Sequence, residues 1–133
     1  MSDEEYMAEA LKEAEIAMSE DEVPIGCIIV YEGQIIARTH NQKETLKKAT
    51  GHAEILAINQ ASEYLDLWHL DGCTMYVTLE PCMMCTGAII QSRMSRLVIG
   101  ANVSKWPGFI ELIKNNPVNH HPDVQQGILK EQC

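Results

Sequence analysis

Aromatic side chains are scarce: 133 residues hold one Phe, two Trp and four Tyr. Proteins that read unpaired RNA bases stack them on aromatic rings or arginine planes, so few such platforms are on offer. Basic residues are also few, ten Lys and Arg against nineteen Asp and Glu, for a formal charge of −9. Non-specific nucleic-acid binders draw most of their affinity from cations that neutralise phosphates, and this balance weighs against that class. Any nucleic-acid contact has to be local. The basic residues that do cluster, Lys43, Lys47 and Lys48 and then Arg93 with Arg96, read most simply as solvated faces. No run of eighteen apolar residues is present, which excludes a membrane-spanning helix. Met1 leads into the acidic Ser2-Asp3-Glu4-Glu5 rather than a secretory leader, so a cytoplasmic location is expected. Five cysteines are too few and odd in number for a disulfide scaffold, and in a reducing compartment a Cys-x-x-Cys pair points to metal or redox chemistry instead. Linkers, repeats and low-complexity stretches are missing too. Residues 1–133 are expected to form one domain, of a size that buries about two-thirds of its unfolded surface.

What is present is an alternation of helical and strand periodicity. Met7, Ala10, Leu11, Ala14, Ala17 and Met18 recur at helical spacing, and Ser2 or Asp3 can cap the start. Ile25 to Tyr31 and Gln34 to Thr39 are β-branched runs around Glu32-Gly33, a hairpin pattern. His52 to Ala61 predicts a helix, Cys73 to Leu79 a strand, Met83 to Gln91 a helix and Arg96 to Ala101 a strand, with helical pieces after that. This order predicts an α/β fold, a three-layer α-β-α sandwich around a mixed sheet. Cys27 and Cys73 fall on strands as small core residues.

Two short clusters carry the chemistry, Gly51-His52-Ala53-Glu54 and Glu80-Pro81-Cys82-Met83-Met84-Cys85. One imidazole and two thiolates complete three corners of a tetrahedral zinc site and leave the fourth for a water whose pKa falls to about 7. Cys82 and Cys85 open a helix behind Pro81, where the helix dipole and free N–H groups favour thiolates. Parallel neighbouring strands would bring that helix start beside the one that carries His52 and Glu54. Glu54, not needed as a ligand, is free to move protons. His40 and His69 read as surface or supporting groups, and a second metal at His120-His121 is not expected.

His-x-Glu followed by Pro-Cys-x-x-Cys is similar to the signature of zinc nucleobase deaminases. With Val23-Pro24-Ile25-Gly26, His40-Asn41, Trp68-His69-Leu70-Asp71-Gly72, Thr78-Leu79 and Gly127-Ile128-Leu129, the chain resembles the cytidine-deaminase-like superfamily nearly end to end. Within it, the likeness is to the branch of bacterial tRNA adenosine deaminases and fungal-type cytosine deaminases. The resemblance implies that His52, Cys82 and Cys85 hold Zn2+ and that Glu54 shuttles protons while an exocyclic amine is replaced by a carbonyl and leaves as ammonia. It also implies that Asn41 bonds the base or its sugar, that Ile25 and the Ala53 backbone wall the pocket, and that the protein is a homodimer paired through the cysteine helix, with Met83, Met84, Ile89 and Ile90 at the interface or in the core.

Three departures bear on substrate. The stretch Asn102-Val103-Ser104-Lys105-Trp106-Pro107-Gly108 is shorter than in the tRNA branch, the chain stops at Cys133 before that branch's aromatic-basic tail, and His69 stands where arginine is common. Trp106 could close a small pocket over a flat ring. The expected substrate is therefore a free nucleobase or nucleoside of the cytosine or guanine type, with tRNA wobble adenosine as the alternative. A non-catalytic zinc-stabilised binding module is the remote reading; a structural zinc is normally closed by a fourth Cys or His, and none stands nearby.

Overall fold

The computed structural model describes residues 1–103, 105 and 107–133. Helix α1 (Asp3–Ser19) opens on a capping box in which Ser2 Oγ accepts from the Glu5 N–H while Glu5 accepts from the Ser2 N–H. Strands β1 (Gly26–Tyr31) and β2 (Gln34–His40) form the expected hairpin. Glu32 and Gly33 both take positive φ, 49° and 75°, the left-handed pair that matches strand twist in a two-residue turn. Then follow α2 (Lys43–Leu46), α3 (Ala53–Leu65), β3 (Cys73–Leu79), α4 (Met83–Gln91), β4 (Arg96–Ala101), α5 (Phe109–Asn115) and β5 (Asp123–Gln126).

The sheet order is β2-β1-β3-β4-β5, with β1 antiparallel to both neighbours and β3, β4 and β5 mutually parallel. This is the mixed sheet the element order predicts. The tail differs from expectation: Asp123–Gln126 is a strand, not a helical piece. It is a polar edge strand with only Val124 packed toward the core, so it carries no apolar alternation to read.

Each sheet face has its own core. Tyr6, Met7 and Ala10 of α1 pack on Ile28, Val30, Tyr76 and Val98. The opposite face buries Ala57 and Ala61 of α3, Ile89 and Ile90 of α4 and Phe109 of α5 against Ile29, Met75, Val77 and Leu97. Cys27 and Cys73 are fully buried on β1 and β3, as expected. Ile89 and Ile90 are core rather than candidate interface residues; Met83 and Met84 are the exposed ones. Among the described residues no helix is long and apolar enough to cross a membrane.

Candidate metal and catalytic site

Strands β2 and β3 both run antiparallel to β1 and hence parallel to each other, so the chain leaves them at the same end of the sheet and enters α3 and α4 there. The sequence pattern places these two helix starts together through neighbouring parallel strands; in the structure β1 lies between them, and the site spans its start. His52 immediately precedes α3, and Cys82 immediately precedes α4.

The three expected ligands converge. Cys82 Sγ and Cys85 Sγ each lie 3.6 Å from His52 Nδ1, and the three ligand atoms all fall within 4.8 Å of one another. Zn–N bonds of about 2.05 Å and Zn–S bonds of about 2.3 Å at a tetrahedral angle give N···S edges of about 3.6 Å. The residues therefore fit a tetrahedral zinc in both chemistry and spacing. Among the described residues this is the one group of three or more His, Cys, Asp or Glu that could hold a metal.

Glu54 sits in the first turn of α3, 3% exposed. Burial pushes its carboxyl up to about 7, aided by the Cys82 sulfur and opposed by its own backbone N–H and the Cys85 thiol. Its Oε1 has no hydrogen-bond partner among the described residues. A buried carboxylate oxygen without a partner costs stability unless something else meets it. The Cys82 thiol is pulled down to about 5, first by the Cys85 thiol donating to it and then by the Cys85 N–H, His52 and the Met84 N–H, against burial. Cys85 moves far upward for the converse reason, so the pair favours one negative charge, on Cys82.

Around this centre, Asn41 is buried, its N–H donating to the Ile25 carbonyl at 3.0 Å. Thr39 Oγ1 donates to the Ala53 carbonyl at 2.7 Å and ties the end of β2 to the start of α3. Asn41 and Ile25 are thus joined to each other, and Ala53, the residue before Glu54, is joined to the end of β2. Trp106 lies outside the described residues. His40 is a supporting group: its ring nitrogens lie 3.0 Å from Glu13 Oε1 and 2.8 Å from Glu20 Oε1, joining β2 to α1. His69 is part-exposed beside Asp71, and His120 Nε2 lies 2.8 Å from the Met94 carbonyl.

Besides Glu13, the partner of His40, two further buried carboxylates were not singled out by sequence. Glu22 accepts from the N–H and the hydroxyl of Thr45, both at 2.6 Å, from the Glu44 N–H at 3.1 Å, and from Asn41 Nδ2 at 3.5 Å. Glu80 accepts from Asn102 Nδ2 and the Val103 N–H and so holds the segment after β4 against the cysteine motif. Glu22 stands in the acidic run Glu20-Asp21-Glu22, which looks like solvated surface. Glu80 stands inside the Leu79-Glu80-Pro81-Cys82 motif, which is the one signal that could have raised it.

Three comparisons bear on this site. The MafB19-like deaminase family model matches residues 1–132. A tRNA-specific adenosine deaminase of Bacillus subtilis is 46% identical over 134 residues, covering 98% of this chain and 83% of that protein. A structure solved in a study of A-to-I editing by tRNA:A34 deaminases at the wobble position of transfer RNA superimposes with a TM-score of 0.91 at 40% identity, over 96% of this chain and 95% of that one. A guanine deaminase from Bacillus subtilis gives a TM-score of 0.75 at 35% identity, over 77% of this chain and 66% of that one.

Proposed function

The chain belongs to the MafB19-like deaminase family, a hydrolytic C–N deaminase on the zinc-deaminase fold, and from that premise we propose that it converts the wobble adenosine of a transfer RNA to inosine. The observation that carries this reading is the likeness, nearly end to end, to a tRNA-specific adenosine deaminase and to a tRNA:A34 deaminase structure. It displaces the free-base substrate favoured by sequence. That preference rested on the 102–108 stretch, His69 and the point where the chain stops, and against these local departures stands 46% identity over 98% of this chain and 83% of the tRNA-specific adenosine deaminase. It also rested on whole-chain acidity, and net charge does not describe the charge beside a pocket. The guanine deaminase resemblance supports a nucleobase substrate as the second reading, with less of both chains matched.

His52 Nδ1, Cys82 Sγ and Cys85 Sγ would hold the zinc, which when bound supplies a water that ionises near neutral pH. Glu54 has the remaining work. Burial raises its carboxyl toward neutral pH, which suits a group that must accept and return protons. It takes a proton from the attacking water and passes it to N1 of the adenine ring, then takes the proton of the new C6 hydroxyl and delivers it to the C6 amine, so that the carbonyl forms as the C–N bond breaks and ammonia departs. Asn41, its side chain steadied by Glu22, holds the base or ribose. Exposed Met83 and Met84 on α4 are the proposed seam of a homodimer.

The test is inosine and ammonia formation by zinc-loaded protein on an anticodon stem-loop with adenosine at the wobble position, beside free bases and nucleosides. The expected result is inosine in the RNA, with kcat/KM at least 100-fold above any small substrate. Turnover of guanine or cytosine with an inert RNA would sink the tRNA reading and leave the deaminase.

A further inference from the structure

Between Asn41, a proposed substrate contact, and Gly51, the residue before His52, lie eight consecutive exposed residues, Lys43 to Thr50. They include α2, a helix none of whose residues is buried. Ordering an exposed segment costs conformational entropy, normally offset by burying apolar surface. Here polar bonds do it instead. Glu22, itself 5% exposed, caps the first turn of α2 through three of its bonds, all to Glu44 and Thr45. At the base, the Gln42 N–H donates to the Gly51 carbonyl at 2.8 Å and the Lys48 N–H donates to the Lys43 carbonyl at 3.1 Å. A Cβ on Gly51 would lie 2.9 Å from Lys43 Cα and 3.1 Å from the Lys48 carbonyl oxygen, so the loop is seated directly on the residue next to the metal ligand.

The loop carries Lys43, Lys47 and Lys48 against the single acid Glu44. Of the other seven cations, Arg96 is bidentate to Asp3, Arg38 and Lys12 pair with Glu9, and Arg93 donates to the Asn119 carbonyl, while Lys105, Lys114 and Lys130 stand apart from one another in the sequence and form no cluster. Among the described residues the three loop lysines make no ion pair.

We infer that the loop from Lys43 to Lys48, anchored by Glu22, is a preformed cationic rim that grips backbone phosphates of the RNA strand whose base enters the site. The inference rests on the tRNA reading; a free base offers no phosphate to such a rim. Its physical content is local: an acidic chain repels polyanions at long range but presents ordered positive charge at the one place where a strand must lie.

The experiment compares wild type with K43Q/K47Q/K48Q, zinc-loaded, on the same anticodon stem-loop across a range of salt concentrations. The substituted residues are exposed, so melting temperature should not change. KM should rise about tenfold at physiological salt with kcat within about twofold, and the slope of log KM against log salt should fall by about two, at roughly 0.7 per lost single-strand phosphate contact. The K43R/K47R/K48R variant should keep the wild-type slope. E22Q, which leaves the charges and loosens their mounting, should raise KM with the slope retained. Unchanged KM and slope in the glutamine variant, with wild type still forming inosine, overturns the rim alone. A wild type that deaminates free bases and not the RNA overturns the tRNA reading and the rim with it.

Discussion

Glu54 shows most directly what function costs at a single residue. Its folded pKa, pushed up by burial to about 7, stands well above the usual glutamate range, so the folded metal-free protein disfavours the carboxylate by about 3 kcal/mol once pH exceeds 7. Glu54→Gln should therefore lose at least ~10³-fold in turnover, as expected when a proton shuttle is removed, while the chelated protein melts several degrees higher than chelated wild type at pH 8. A mutant that melts lower would show that the carboxylate is held by partners not seen here. At His40 it is the charged form that the fold favours, and stability again falls as pH rises. Burial opposes its charge, but the Glu13 and Glu20 carboxylates outweigh that and raise its pKa, with Glu22 also nearby. Its contribution is fully present below the ordinary histidine range and fades as pH rises through the raised value. Melting curves from pH 6 to 9 should fall more steeply for wild type than for His40→Gln. The zinc ligands and Glu54 were legible because ligand chemistry fixes residue types at short spacing. Glu22 was not, since its importance lies in what it touches across the fold, and nothing in Glu20-Asp21-Glu22 separates the buried carboxylate from the two exposed ones.

Elements were readable in proportion to what they bury. α1, β1, β3, α4 and β4 each place a run of apolar residues against a core, and their periodicity located them to within a residue or so. α2 and β5 bury almost nothing and so leave no pattern. The N-terminal cap of α1 was also readable, because hydroxyl-then-glutamate spacing is itself the mechanism. Ser2→Ala should cost about 1 kcal/mol, seen as a lower denaturant midpoint at unchanged slope. Gly51→Ala is the corresponding test of how α2 is mounted. The added methyl meets backbone at Lys43 and Lys48 rather than a side chain that can turn away, so RNA turnover should drop several-fold with little change in melting temperature. An unaffected enzyme would show that this loop shifts freely without consequence.

At the scale of the molecule, the metal site joins parts that the chain delivers separately: His52 at the start of α3 and Cys82 with Cys85 at the start of α4. A metal that binds only when both are in place stabilises the whole fold, by about 4 kcal/mol when its free concentration is a thousand times Kd. Chelation should lower the melting temperature by several degrees and zinc should restore it; an unchanged melting curve would mean that the ligands are not held together by metal. A second long-range tie has a consequence in time. Asp3 is gripped by both nitrogens of Arg96 and by the Tyr76 hydroxyl at 2.7–2.8 Å. At a synthesis rate of about 5–20 residues per second, Arg96 leaves the ribosome roughly 5–20 s after Asp3. During that interval the hairpin of β1 and β2 can form and β3 can join β1 once it emerges, but the far edge of β3 has no partner until β4 arrives, and Met7 and Ala10 have only part of their core. The nascent chain thus spends seconds with a strand edge and a greasy helix face open, the interval in which a chaperone has most to gain by binding it.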